Sequence, residues 1–373
     1  MTMTYINCAV DLGVRRGLDY GVTNAGAVQL EISARTDLGR TRDHNEDTFL
    51  VADLTRGTTD FLEGGKATVG PRGSLFLVAD GMGGAAAGEV ASAMAADTIF
   101  EHLRTAWTPA ALDSSDDFTI RMRDAVETAN NRIHRFALEH PESRGMGTTA
   151  TVAGMFGSRL YLAQVGDSRA YLIRAGQATQ LTKDQSLIQR LVDAGEMTEE
   201  QAAQSERRNI ILQALGPDPR IRVDFTYQDI ARGDVLVLCS DGLSGQLPRA
   251  ELGPLVAELK SPDAICARLI EIANARGGPD NITAVVVRFD GPGLPDPEGQ
   301  PEPPGYRVYQ LPDETSGETA AVALAPPAPA PDTEVDLAPE PAPPTRRTGS
   351  PVMVAVGGII VLLALLALFL LQR

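Results

Sequence analysis

Four apolar runs that end or begin at an aspartate constrain the fold of this chain more than any other feature. Residues 75–79 lead into Asp80-Gly81, residues 235–239 into Ser240-Asp241-Gly242, and residues 161–165 into Gly166-Asp167-Ser168. Asp280-Asn281 stands directly before the run 282–287. Short runs rich in Val, Leu and Ile read as buried strands. A carboxylate at a strand edge is pinned by the sheet and still reaches solvent. One Asp-Gly is ordinary turn chemistry. Four such carboxylates in one domain suit hard divalent cations, which take oxygen ligands.

Strands are expected near 29–36, 47–53, 73–79, 150–156, 159–165, 169–174, 222–228, 234–239 and 282–289. Helices are expected near 86–103, 118–139, 184–194, 198–204, 248–259 and 261–275. Ser261-Pro262 suits a helix start, with serine as cap and proline in the first turn. The links Gly157-Ser158 and Gly166-Asp167-Ser168 are short enough for hairpins, which favours antiparallel sheets with flanking helices over a parallel crossover fold.

The chain divides by composition. Residues 1–27 lack periodicity and a signal-peptide layout, and read either as a flexible leader or as sequence ahead of a downstream start. Residues 28–291 read as the globular domain. Residues 292–351 hold 16 of the 25 prolines and read as an extended linker. Residues 352–371 carry no charge. As a helix they span roughly 30 Å, the thickness of a bilayer core. Arg346 and Arg347 before the span, against Arg373 after it, place the globular part in the cytoplasm. The expectation is a single-pass, C-terminal anchor in the cell membrane.

With 33 basic and 49 acidic residues the net charge is −16. A surface of that sign disfavours nucleic-acid binding, which needs cations to meet phosphates. Cys8, Cys239 and Cys266 show neither disulfide nor zinc spacing, which suits a reducing compartment. Cys239 lies inside an apolar run and reads as a small hydrophobe. The four histidines form no zinc motif.

Five short motifs carry the chemistry. In the first, Gly39-Arg40-Thr41-Arg42-Asp43-His44-Asn45-Glu46-Asp47, Arg42 offers a planar fork matched to phosphate oxygens. The alternative for this stretch is a charged turn with local ion pairs. The second, Asp80-Gly81-Met82-Gly83-Gly84, lets backbone approach a ligand closely. It is neither a Walker loop nor a dinucleotide fingerprint. The others are Gly145-Met146-Gly147-Thr148-Thr149 with Gly166-Asp167-Ser168-Arg169, then Ser240-Asp241-Gly242, then Gly278-Pro279-Asp280-Asn281.

In this order, over about Glu31 to Phe289, these motifs resemble the metal-dependent protein phosphatase family, the type 2C serine/threonine phosphatases, in its bacterial membrane-anchored form. The resemblance implies an α+β fold, a four-layer α/β/β/α sandwich of two antiparallel sheets flanked by helices, here with a C-terminal transmembrane helix. It implies two Mn²⁺ or Mg²⁺ ions. Asp80 would bridge them, Gly81 would lend its carbonyl to one, and Asp241 and Asp280 would complete the other. Glu46 and Asp47 match the family's acidic pair. Asp167 matches a weaker third-metal ligand, and Arg42 the phosphate-holding arginine. Residues 182–215 correspond to the family's flap.

The implied reaction is attack of a metal-bridging hydroxide on phosphoserine or phosphothreonine in proteins, with a membrane Ser/Thr kinase among the substrates. Many bacterial relatives carry His after the Asp-Gly-Met-Gly-Gly run, where this chain has Ala85. The proton donor to the leaving oxygen is then a water on the metal or His44, whose ordinary pKa near 6.5 is suitable. The alternative for His44 is a solvated loop residue. A catalytically silent binding module would be expected to lack some of the metal carboxylates, and they are present.

Overall fold

The computed structural model describes residues 26–59, 66–83, 87–107, 114–198, 201–202, 205, 207, 210–299 and 302–311. Two antiparallel sheets lie face to face. The first runs β3 (Lys66–Thr68), β1 (Gln29–Asp37), β12 (Ile282–Asp290), β11 (Val235–Cys239), β8 (Arg169–Arg174), β9 (Gln177–Gln180). The second runs β10 (Asp224–Asp229), β7 (Arg159–Val165), β6 (Ala150–Phe156), β4 (Ser74–Met82), β2 (Asp47–Asp53), with the two-residue β5 (Gly147–Thr148) also on β4. Helices α1 (Ala87–Ala106) and α2 (Ser115–Glu139) cover the second sheet. Helices α5 (Arg249–Leu259) and α6 (Pro262–Ala275) cover the first. The four-layer sandwich expected from the motifs is the observed fold.

The unbroken apolar runs follow from burial on both faces of each sheet. In β4, Phe76 and Val78 fill the space between the sheets, while Leu75, Leu77 and Ala79 face α1 and α2. In β11, Leu236 and Leu238 point between the sheets, and Val235, Val237 and Cys239 point to α5 and α6. A strand buried on one face alternates, and one buried on both does not.

Most expected elements lie within a few residues of the observed ones, but the short strands β3, β5 and β9 were not expected, and other details differ. Gly166-Asp167-Ser168 does not close a hairpin. Strand β7 pairs with β6 and β10, whereas β8 pairs with β11 and β9, so this link carries the chain from one sheet to the other. Ser261 stands at the N-cap of α6 without a side-chain capping bond, although Pro262 does occupy the first turn. The short helix α4 (Asp241–Ser244) begins on the aspartate itself. Helix α3 (Leu187–Asp193) is capped by Ser186, which accepts from Gln189 N at 3.2 Å. The expected helix at 198–204 lies largely outside the described residues.

The chain stays packed beyond 292, the expected start of the linker. Leu294 is buried between the sheets and Leu311 against α1 and α2. Residues 307–309 run beside the free edge of β10, where Tyr227 N donates to Arg307 O at 3.0 Å and Tyr309 N to Phe225 O at 2.9 Å. The Tyr309 ring packs edge-on against Tyr161 and Tyr227, and its hydroxyl bonds Asp116. An edge strand leaves backbone groups unpaired, and this strap satisfies them. Among the described residues no helix is long and apolar enough to cross a membrane. Residues 1–25, the later linker and the expected span 352–371 lie outside the described residues.

Candidate active site

The layer between the sheets is apolar for most of its length and turns polar at one end. Following the intersheet face of each strand past the last apolar residue gives Asp47 on β2, Asp80 on β4, Thr149 before β6, Ser168 before β8, Ser240 after β11 and Thr283 on β12. Asp47 and Asp80 are directly opposed across the β2–β4 pair. Asp241 opens α4, and Asp280 precedes β12. The candidate site is therefore the polar end of a double-sheet core.

Neutral polar groups hold the carboxylates in place. Ser240 Oγ donates to Asp47 Oδ2 at 2.7 Å and accepts from Thr283 N at 3.0 Å. Asp80 N donates to Thr149 Oγ1 at 2.9 Å, and Thr149 N donates back to Asp80 O at 2.9 Å. Asn281 ties the loop before β2 to the start of β12. It accepts from Glu46 N at 2.9 Å and donates to Leu38 O and His44 O at 3.0 and 3.1 Å. Gly81 lies so close to its neighbours that a Cβ there would sit 2.3 Å from Gly88 O and 2.5 Å from Glu46 O. Only glycine permits that approach.

Burial and mutual repulsion disfavour full ionisation of the cluster. Burial pushes Asp80 well above the carboxylate range, and Asp47, Asp241, Asp167 and Asp280 push it further. Burial also raises Asp47 to about 7, against the lowering effect of its bonds from Thr283 and Ser240. Asp167 is raised to about 7 by burial and by Asp241 and Asp184. Asp241 is raised by burial and by Asp280, and shares a hydrogen bond with Asp80. Glu46 is raised by burial and lowered by His44 and Arg42. A cavity of about 230 Å³ opens onto Asp167, Asp241, Asp280 and Arg42, with Arg169 and Asp184 on its wall.

The structure gathers the expected residues at this end. Arg42 is 48% exposed and donates from Nη2 to Asp280 Oδ2 at 2.7 Å. His44 is 52% exposed, with Nε2 at 3.9 Å from Glu46 Oε1. Ala85 lies outside the described residues. The sequence reading missed the roles of Ser240, Thr283, Thr149 and Asn281, all buried, and of the Arg169–Asp184 ion pair at 2.6 Å. Cys239 and Cys266 are buried, free, and pushed up to about 12 by that burial, which removes them as nucleophiles.

This donor set suits divalent cations. Its oxygens are hard, the carboxylates outnumber the neighbouring Arg42 and Arg169, and Glu46 Oε1 and Asp167 Oδ1 are buried without a hydrogen-bond partner. Among the described residues no three acids already close on one ion-sized point, since Asp280 is drawn to Arg42 and Asp241 to Asp80.

The protein phosphatase 2C family matches residues 60–280. The serine/threonine phosphatase stp of Listeria welshimeri is 36% identical over 254 residues, 68% of this chain and 93% of that protein. The serine/threonine protein phosphatase PstP of Mycobacterium tuberculosis is 36% identical over 262 residues, 69% of this chain and 44% of that protein. The crystal structure of a PstP catalytic domain in complex with two manganese ions superposes with a TM-score of 0.58 at 33% identity. It covers 70% of this chain and 99% of that one. Sequence, fold and the polar end of the sandwich agree: this chain belongs to the protein phosphatase 2C family of metal-dependent serine/threonine phosphatases.

Proposed function

We propose that the chain hydrolyses phosphoserine and phosphothreonine in proteins, using Mn²⁺ or Mg²⁺ held by Asp80, the Gly81 carbonyl, Asp241, Asp280, Glu46 and Asp47, with Asp167 at a weaker third ion. The observation that carries this reading is the buried carboxylate cluster, with its two unpartnered oxygens, facing a cavity beside Arg42. Bound cations supply an activated water and neutralise phosphoryl charge. Arg42 spends one N–H on Asp280 and has further donors in its planar fork for phosphate oxygens. Ser240, Thr149 and Asn281 keep the carboxylates and the Glu46 loop from swinging. His44, half-exposed at the rim, delivers a proton from its imidazole to the departing serine or threonine oxygen.

Asp241→Asn is expected to abolish Mn²⁺-dependent hydrolysis of p-nitrophenyl phosphate while the far-ultraviolet circular dichroism stays that of the wild type. Retained activity would remove Asp241 from the metal site. His44→Ala should cost about a hundredfold with a phosphothreonine peptide. It should cost little with p-nitrophenyl phosphate, whose leaving group needs no proton. Equal losses on both substrates would end the case for His44 as acid.

The apolar run 352–371 and the Pro-rich stretch before it support a reading in which the enzyme is held on the cytoplasmic face of the cell membrane. Its substrates there include phosphoproteins of the same surface, a transmembrane Ser/Thr kinase among them, because confinement raises the effective concentration. The full chain should sediment with membranes, and a chain lacking 352–373 should not. Equal distribution of the two would defeat the tether.

A further inference from the structure

Gln185 joins three pieces of chain that the sequence keeps apart. Its backbone N–H donates to Gly166 O at 2.9 Å, and its side-chain Oε1 accepts from Gly166 N at 2.9 Å. One residue thus grips both backbone polar groups of the glycine that precedes Asp167. Oε1 also accepts from Gln213 Nε2 at 2.9 Å, and Nε2 donates to Asp224 Oδ2 at 3.0 Å. The Gln185 carbonyl accepts from Leu212 N at 2.8 Å. The amide orientation is dictated, since a flipped side chain would set NH₂ against the Gly166 N–H and oxygen against the Asp224 carboxylate.

These bonds sit at the base of the 182–215 segment. Strand-like pairing of Ser186 with Ile211 continues the contact, and Gln213 exchanges bonds with the Arg222 backbone, both at 2.7 Å. The segment leaves through Leu215, which pairs with Thr148, and the Thr148 hydroxyl donates to Asp80 O at 3.0 Å. One end is therefore bonded to Gly166, next to Asp167, and the other is linked through Thr148 to the Asp80 backbone.

The turn at Asp167 has no slack. Gly166 has φ +99°, and a Cβ there would lie 2.6 Å from Thr149. Asp167 Oδ1 is buried with no partner. The position of this carboxylate follows its backbone turn. Gln164 Nε2 holds the turn from within the sheet, donating to Gly166 O at 3.0 Å and Ser168 O at 2.8 Å, and Gln185 is the residue that ties it to the 182–215 segment. Gln185 does not line the cavity, so it acts through the turn rather than on a ligand.

We propose that Gln185 is a positioning residue. It locks the Gly166–Asp167 turn to the base of the 182–215 segment, so that the Asp167 carboxylate and that segment hold or shift together. The role rests on the reading of Asp167 as a metal ligand.

The test uses the full chain in detergent, as wild type, Gln185→Met, Gln185→Glu, and Gln185→Glu with Asp224→Asn. Methionine keeps the length and removes both polar atoms. Glutamate alone keeps the acceptor for Gly166 but opposes Asp224, and the double variant restores a donor–acceptor pair with the roles exchanged. Amide hydrogen exchange is followed without metal, and Mn²⁺ binding by calorimetry.

Gln185→Met should raise exchange about tenfold at Gly166 and also at Leu212 and Leu215. The amides of β11 and β12 should keep their protection. The weakest Mn²⁺ step should weaken about tenfold while tighter steps persist. The double variant should return towards wild type. A rise confined to Gly166, with Leu212, Leu215 and Mn²⁺ binding unchanged, would overturn the proposal. If Gln185→Met loses protection throughout, the single and double glutamate variants decide: equal exchange at Leu212 in both overturns it. Hydrolysis by the wild type, measured alongside, tests the phosphatase reading separately, because exchange in the metal-free chain does not depend on activity.

Discussion

Ser240 shows how much of this site depends on neutral side chains. Its hydroxyl is donor to Asp47 and acceptor for Thr283 N, and it is fully buried. Removing it strands a buried amide and takes a hydrogen bond from the ionised form of Asp47. Ser240→Ala should cost about 1–3 kcal/mol of folding stability. It should also weaken Mn²⁺ binding at neutral pH by holding more of Asp47 protonated. Denaturant titration and calorimetry check both, and unchanged Mn²⁺ affinity would mean that Asp47 does not need this bond. The aspartates were legible in the sequence because each interrupts an apolar run. Ser240, Thr283 and Thr149 were not, because a small polar residue in a strand usually marks a solvent face. Here the same residues mark the polar end of a space closed by two sheets.

At the scale of elements, the long strands and helices were readable because burial on both faces writes them as apolar runs and amphipathic stretches. Strands β3 and β9 were not, since three or four largely polar residues become strands only when a neighbouring edge pairs with them. The crossing at Gly166-Asp167-Ser168 reads locally like a hairpin, and only the choice of partner for β8 separates the two outcomes. The strap at 302–311 was hidden by its prolines. Composition speaks for an extended chain, and an extended chain is what completes an open sheet edge. Tyr309→Ala removes two ring contacts and the bond to Asp116, and should cost about 1–3 kcal/mol. A chemical denaturation midpoint equal to wild type would show that the strap adds no stability to the domain.

For the whole molecule, the crowded carboxylates set the pH dependence of stability. Asp47 and Asp167 are raised to about 7 in the folded chain, against roughly 3.9 for an unfolded aspartate. Between those values the folded chain binds protons that the unfolded chain has released. The contribution of these two groups is therefore fully present below about pH 4 and is lost as pH rises through about 7. Cations favour the ionised forms and oppose that loss. The rise in melting temperature on adding Mn²⁺ to chelator-treated protein should be larger at pH 8 than at pH 5. Binding at pH 6 should release protons, read from calorimetry in buffers of different ionisation enthalpy. A Mn²⁺ effect independent of pH would contradict this account.

The sequence by itself determined the long strands, the covering helices, the family resemblance and the aspartates that end the apolar runs. These follow from local rules, since the period of burial and the residue that breaks a run are written within a few positions. Tertiary structure alone decided that Asp47 and Asp80 stand opposite each other, that Ser240 and Thr283 brace them, and that Gln185 ties Asp167 to a distant segment. It also decided that residues 302–311 finish the edge of β10. Each of these joins positions far apart in the chain, and only the packing of one sheet against the other brings their atoms within hydrogen-bonding distance.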